Sequence, residues 1–302
     1  MNLKLVNNLS EANGITHAGS FHADDVFASV FLANYYDELC LYRTNEIIEN
    51  SNAIMYDRGG GEFDHHFLDA KVRENGILYS SFGLLWNRFG KDFLEKKGYV
   101  NKEELFLMID KEFVLGIDAI DNGVFPTPNS YRVNSVSDLI AHFKPTWLED
   151  KNLENQYFYD ACIFANTVFQ NMIRQFSDKL MAKSKVESAL KDCSGFILML
   201  GESMPFMEFI LQSKLEIASQ ILYVIAPNSR GQYSIHAVQK NMETFENRLP
   251  LCSEWGGKTT EELQLMTGIE TFQFCHKNLF LATAKTLEDA IKIAQLAIKK
   301  GS

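Results

Sequence analysis

Short apolar runs alternate with longer amphipathic stretches through the first half of the chain. Residues 13–16 read as a strand running into a Gly19-Ser20 turn, and residues 26–36 suffice for a buried helix of about three turns. Residues 39–44 predict a second strand, 45–52 a short helical or loop connection, and 53–57 a third strand. Near-continuous apolar strands joined through helices predict a parallel sheet with helices on both faces. Apolar positions then return at helical spacing over residues 80–89, behind the N-cap Ser80. Residues 101–121 read as one long helix, capped by Asn101 and stopped at Asn122-Gly123. Residues 155–188 are again helical, with Tyr157, Ala161, Phe164, Ala165, Val168 and Met172 on the core side.

The pattern changes at residues 191–195. Strands are predicted at 195–200, 221–226, 232–239, 271–276 and 279–284, with helices at 259–266 and 287–299. The closing helix turns Ala290, Ile293, Ala294 and Ala297 inward. The expected fold class is therefore α/β: a parallel-sheet N-terminal domain over residues 1–192 and a smaller α+β domain over 193–302. The length of 302 residues suits two domains of about 150 residues each.

Composition narrows the class. At 46% hydrophobic and 23% charged the chain is ordinarily globular. It has no apolar run of membrane-spanning length, and its first ten residues lack a secretory signal, so a cytoplasmic protein with no membrane partner is expected. Five scattered cysteines, none in a C-x-x-C pair, indicate neither a disulfide framework nor a zinc knuckle. The net charge of −10 argues against a surface that coats nucleic acid. A local phosphate site remains open where cations cancel the field. Assembly as a homo-oligomer also stays open.

The polar residues that close the strands carry the candidate chemistry. Asp57 ends the strand at 53–57, and a three-glycine loop then delivers Asp64, His65 and His66 in consecutive positions. Adjacent side chains of an extended segment point to opposite faces, so these three cannot all ligate one ion. One ligand, one orienting residue and one residue left for substrate is a division that satisfies this. A polar loop with two solvated histidines would look the same taken alone. Upstream, His17 stands at a strand tip and His22 and Asp24 at a helix start, where an open α/β sheet builds its ligand crevice. Imidazoles and carboxylates mixed so closely suit a divalent ion such as Mn, Fe or Co. Asp118 and Asp121 share a helix face. Among Leu115, Ile117, Ala119 and Ile120 such carboxylates are costly to bury without a cation, although both could instead line an exposed face. Arg58 could contact a phosphate or serve in a surface ion pair.

Together, His17, His22-x-Asp24, the lone Asp57, the Asp64-His65-His66 triplet and Asp118-Ala-Ile-Asp121-Asn-Gly resemble the four motifs of the DHH phosphoesterase superfamily. The match is to its melanocyte-proliferating-gene branch, labelled metal-dependent protein hydrolases and, in eukaryotes, implicated as exoribonucleases. Arg248-Leu-Pro-Leu with Trp255, Thr267-Gly-Ile and Phe274-Cys-His276-Lys277 are similar to that branch's C-terminal half, so the resemblance covers nearly the whole chain.

The resemblance implies two divalent ions, usually manganese, bridged by Asp57. It implies His17 and His22 at one ion, and Asp24, His65 and one of Asp118 or Asp121 at the other. Asp64 would orient a neighbour, and His66 would face the substrate phosphate. The chain departs from the superfamily at His22, where an aspartate is usual, with one extra residue in the spacing from His17. The implied reaction is phosphoester hydrolysis by a water bridging the two ions, with Asp57, Asp64 and His66 in the catalytic group. The C-terminal domain is implied to hold the rest of the substrate across a cleft. Lys240, Arg248, His276 and Lys277 are its candidate phosphate or leaving-group contacts, though each alone also suits a solvated surface. The superfamily's glycine-rich RNA-contact motif is absent, and Leu281-Ala-Thr-Ala284 stands near its place, which argues against long RNA. The expected activity is that of a phosphodiesterase or 3'-5' exonuclease on nucleotides or short single-stranded nucleic acid. A pyrophosphate or small-nucleotide phosphohydrolase, a metal-dependent peptide hydrolase and a non-catalytic nucleotide-binding or regulatory protein are the alternatives.

Overall fold

A computed structural model describes residues 1–49, 51–125, 131 and 133–301. Contacts divide the chain into two compact units, Met1–Ser177 and Asp178–Ser302.

In the first unit four short strands form a parallel sheet among the described residues: β1 (Leu3–Leu5), β2 (Gly14–Thr16), β3 (Leu39–Arg43) and β4 (Ile54–Met55), in the order β1-β3-β2-β4. The first of these strands was not expected from the sequence. Residues 45–52 carry no regular element where described, and Asn50 lies outside the described residues. Helix α1 (Ala23–Tyr35) follows β2 and is buried from Ala23 to Asn34, which is why its sequence is apolar all round rather than on one stripe. It packs against β1 and β3 and against α2 (Ser81–Lys96). Phe31 sits in an aromatic core with its ring centroid 5.6 Å from Trp86 and 5.4 Å from Phe93. Ser80 caps α2, its Oγ accepting from the Gly83 N–H at 3.4 Å.

The expected long helix is a continuous helical path in three parts. α3 (Lys102–Ile109) runs into a π-helical turn (Asp110–Val114) and on into α4 (Leu115–Asp121). It stops at Asn122 and Gly123, the glycine at φ +74. Asn101 stands at the N-cap position, but in the left-handed region at φ +55 and without a capping bond from its side chain. The short α5 (Val136–Ala141), not anticipated from the sequence, is closed by a capping box: Ser135 Oγ accepts from the Asp138 N–H at 3.1 Å and Asp138 Oδ2 from the Ser135 N–H at 2.8 Å. α6 (Glu154–Asp192) follows.

The division between the units falls inside α6, ahead of the change of pattern at 191–195. The helix carries its apolar spacing straight through, and Ala182, Val186 and Leu190 pack with Leu198, Leu200 and Phe209 of the second unit. That unit adds β5 (Ile197–Met199), α7 (Met207–Gln212), α8 (Glu216–Gln220), β6 (Tyr223–Pro227) and β7 (Tyr233–Ala237). It closes with α9 (Thr260–Thr267), β8 (Phe272–Cys275), β9 (Leu281–Ala284) and α10 (Leu287–Gly301). The sheet order is β5-β6-β7-β9-β8, with only β5 and β6 paired in parallel. Strand alternation sends Tyr223 and Ile225 into a core with Trp255 and α10, and Val224 and Ala226 into the core with Phe209. The result is an α/β protein in two parts, with a parallel first sheet and a mixed second one. None of the described helices is long and apolar enough to cross a membrane.

Candidate metal centre

The register of the parallel sheet builds the centre. Ile15 pairs with Met55 across β2 and β4, so the residues two positions further on, His17 and Asp57, leave adjacent strand ends side by side. His17 Nε2 lies 3.1 Å from Asp57 Oδ2. Asp57 has φ +57, a left-handed conformation that aspartate and asparagine visit more readily than other side-chain-bearing residues. The chain then loops round to run beside itself in parallel, Tyr56 bridging Phe63, and the Asp57 N–H donates to the Phe63 carbonyl at 3.0 Å. Glycine is favoured at position 59, where φ is +82 and a Cβ would push aside Met55 Sδ. This loop sets the Asp64-His65-His66 triplet against Asp57.

The triplet divides as extended geometry requires. His65 Nε2 lies 3.2 Å from Asp57 Oδ1, 3.3 Å from Asp121 Oδ2 and 3.7 Å from Asp24 Oδ2. Asp64 accepts from the Gly60 N–H at 2.7 Å and holds His66 Nδ1 at 2.7 Å, leaving the rest of that ring 60% exposed. Asp24 and Asp25 occupy the first turn of α1, and Asp25 accepts the His22 N–H at 2.8 Å. Asp25 Oδ2 stands 3.3 Å from His17 Nε2. The donor atoms fall into three groups, each within 4.8 Å: His17, Asp25 and Asp57; Asp57, His65 and His66, which share Asp57 with the first; and His22, Asp24 and Asp121. Asp57 therefore turns Oδ2 to one histidine and Oδ1 to another.

The donor set fits a divalent cation. Both carboxylate oxygens of Asp24, Oδ2 of Asp25 and Oδ1 of Asp57 are buried without a hydrogen bond of good geometry, with His17 Nε2 3.3 Å from Asp25 and His65 Nε2 3.2 Å from Asp57 and 3.7 Å from Asp24. Buried carboxylate oxygens without donors are costly unless positive charge compensates them, and oxygens mixed with imidazole nitrogens suit first-row transition ions. Electrostatics agree. Burial lifts the Asp25 carboxyl to about 7, against the pull of His17. Burial also raises Asp24, reinforced by Asp57, and Asp121, reinforced by Asp24. Burial opposes protonation of His17 and His65, yet the close Asp57 and Asp24 carboxylates respectively, with the surrounding carboxylate charges, raise them to about 9 and about 10. Asp57 is held well below the usual carboxylate range, because its bonds to His17 and His65 outweigh its burial. The two imidazoles thus hold protons that an incoming cation would displace.

The structure brings His17, His22, Asp24, Asp57, His65, His66 and Asp121 together around one cavity. His17 groups with Asp25 rather than with His22. Asp118 lies elsewhere: its fully buried carboxylate accepts from Arg73 Nε at 2.6 Å, Ser80 Oγ at 2.6 Å and the Ser80 N–H at 3.1 Å. Its burial is compensated by an arginine, so the expectation that it faces the centre gives way to Asp121. Arg58 donates Nη2 to the Glu46 carbonyl, while its Nε and Nη1 are buried without partners. In the second unit Arg248 donates Nη1 to the Ala218 and Ile221 carbonyls, at 2.6 and 2.9 Å, which anchors that end of the guanidinium. Lys240 pairs with Glu246 at 2.9 Å, Lys277 is exposed, and His276 Nδ1 accepts the Asn278 N–H at 3.1 Å.

Sequence reasoning missed Asp25, Arg73 and Lys144. Asp25 had a usable signal: two successive aspartates in the first turn of an all-apolar helix leave neither a solvent face. Arg73 had none. Lys144 is half-buried and its charge helps to keep His22 below its ordinary value, after burial itself.

A two-part α/β protein whose parallel sheet presents a buried histidine and aspartate centre able to hold divalent metal is the class that fold and site define. The chain belongs to the MYG1 exonuclease family, described as "Uncharacterised protein family (UPF0160)", whose model matches residues 14–298. It is 30% identical to a MYG1 protein of Dictyostelium discoideum, over 95% of this chain and 96% of that one. It is 27% identical to proteins named MYG1 exonuclease from Homo sapiens, over 95% of this chain and 86% of that one, and from Bos taurus, over 94% and 84%.

Proposed function

We propose that the chain is a metal-dependent phosphoester hydrolase, a phosphodiesterase or 3'-5' exonuclease acting on nucleotides or short single-stranded nucleic acid, and a member of the DHH superfamily. The observation that carries this reading is the split of the Asp57 carboxylate, Oδ2 toward His17 with Asp25 and Oδ1 toward His65 with Asp24 and Asp121. One carboxylate shared by two histidine and aspartate groups is the arrangement a pair of cations requires. The exonuclease names of the human and bovine relatives support the same chemistry.

In this reading His17, Asp25 and Asp57 hold one ion, and Asp57, His65, Asp24 and Asp121 the other, with His22 beside the second. Manganese suits the mixed donor set. Bound cations would supply positive charge against the phosphoryl oxygens and make a nucleophilic water available near neutral pH. The chain's own groups orient the substrate. Asp64 fixes the His66 ring through Nδ1, so Nε2 is the nitrogen free to hydrogen-bond a phosphoryl oxygen. Arg58, with Nε and Nη1 unpartnered, is the candidate for a further phosphate contact.

The test uses metal-stripped protein with manganese, magnesium, cobalt and zinc restored one at a time, against bis-p-nitrophenyl phosphate and short RNA. Manganese-restored cleavage that is lost in Asp57→Asn is expected. Protein that binds metal yet cleaves neither substrate with any of the four ions would refute the hydrolase reading.

A further inference from the structure

Beside the centre lies a second cavity of about 410 Å³, within the roughly 300–1,000 Å³ usual for small-molecule sites. It shares His22 and Asp121 with the centre, so whatever occupies it is continuous with the reacting group. We propose that this cavity, built from the ends of α1 and α4 and from α5, receives the base of the nucleotide whose phosphate lies at the centre. The proposal rests on the hydrolase reading and adds where the nucleoside sits and how it is held.

Three features favour a neutral aromatic ring. Ile120, Phe125 and Ala141 supply apolar walls, and Phe125 is 71% exposed, so its ring is free to stack on a base. Ser137 Oγ is buried with no hydrogen-bond partner, although its residue lines the cavity. Such an atom is costly unless something fills the site and bonds to it. A base edge would do so. Among the described residues no lysine or arginine lines this cavity, so a phosphate is better held at the cation-binding centre that adjoins it through His22 and Asp121. The nucleotide is thus oriented with phosphate toward the histidines and base toward Ser137. A hydroxyl can donate or accept, so one serine bonds any base edge and discrimination among bases is expected to be weak.

The test is direct binding by calorimetry, with adenosine 5'-monophosphate and ribose 5-phosphate as probes on the manganese-supplemented full chain. The two share the phosphate and sugar and differ in the base. The expected result is at least a tenfold preference for the nucleotide, lost in Ala141→Phe, which fills the cavity from an exposed position, and reduced in Phe125→Ala. Equal affinities for the two probes, no binding of the nucleotide, or a preference that survives Ala141→Phe would each overturn the proposal. This readout needs no turnover, so it can fail while bis-p-nitrophenyl phosphate is still hydrolysed, and it can succeed where hydrolysis is absent.

Discussion

Replacing Arg73 with methionine is the substitution whose effect the structure sizes most directly. Arg73 is 8% exposed in its side chain and bonds Asp118, which is 0% exposed, at 2.6 Å. Its other two nitrogens bond Asp110 at 2.7 and 2.9 Å, but that carboxylate is 23% exposed. The outer pair resembles a surface bridge, worth about 0.2–1 kcal/mol. The inner one differs, because removing the cation leaves a buried anion, a change that costs about 3–5 kcal/mol. Ser80 still donates twice to Asp118, which puts the expectation at the low end, about 3 kcal/mol. For a unit of this size that is a fall of roughly 6–12 °C in melting temperature.

Trp86 is buried in the first unit, so its fluorescence in a Trp147→Phe, Trp255→Phe background reports unfolding of that unit. The sign with pH follows from burial, which raises the folded Asp118 carboxyl above its ordinary value, with Arg73 opposing that rise. Loss of Arg73 raises it further. The folded state then binds protons more tightly than the unfolded one, so the penalty is absent in acid below the unfolded value and grows as pH rises through the folded value. Adding Asp118→Asn should recover part of the loss. A deficit under about 1 kcal/mol, the value for an exposed pair, or a double variant no better than Arg73→Met, would refute the account.

Further outcomes follow from single contacts. Gly83→Ala should destabilise by about 1–3 kcal/mol despite alanine's better helix propensity, because the new Cβ would meet Asp118 Oδ1 at 2.3 Å; a rise in the urea midpoint would contradict this. Manganese affinity should climb between pH 6 and 9, since the cation must displace protons held by His17 to about 9 and by His65 to about 10. Calorimetry in two buffers of different ionisation enthalpy reads the released protons, and a flat profile would count against these ligands. Arg248→Met should lower the stability of the second unit by about 1–3 kcal/mol, as two carbonyls lose their donor. A change in catalytic KM with no change in stability would instead return Arg248 to the substrate.

Much of the fold was legible because strand ends and helix signals are local. The run at 13–16 became β2, Ser80 did cap α2, and Asn122-Gly123 did end α4. What failed was non-local. The π-helical turn at Asp110–Val114 leaves no mark in apolar spacing. Asp118 and Asp121 share a helix face in sequence, yet Arg73, 45 residues before Asp118, claims one of them. No spacing rule reports a partner that arrives from another loop. Arg248 illustrates the same limit, since basic residues near strand ends look alike until their carbonyl partners are seen. At the centre, residue types were readable and their grouping was not, because the pairing of β2 with β4 decides that His17 meets Asp57.

The backbone at Asp57 has a wider consequence. A left-handed residue with a Cβ carries a penalty of about 1–2 kcal/mol that glycine escapes, yet the pairs with His17 and His65 hold the Asp57 carboxylate ionised, so its charge favours the fold. A directed-evolution screen for heat resistance, blind to activity, would therefore meet two opposed effects at position 57: glycine relieves the backbone and leaves both histidines without their shared partner. The residue on which the two halves of the centre converge is thus kept by its pairing as well as by its chemistry.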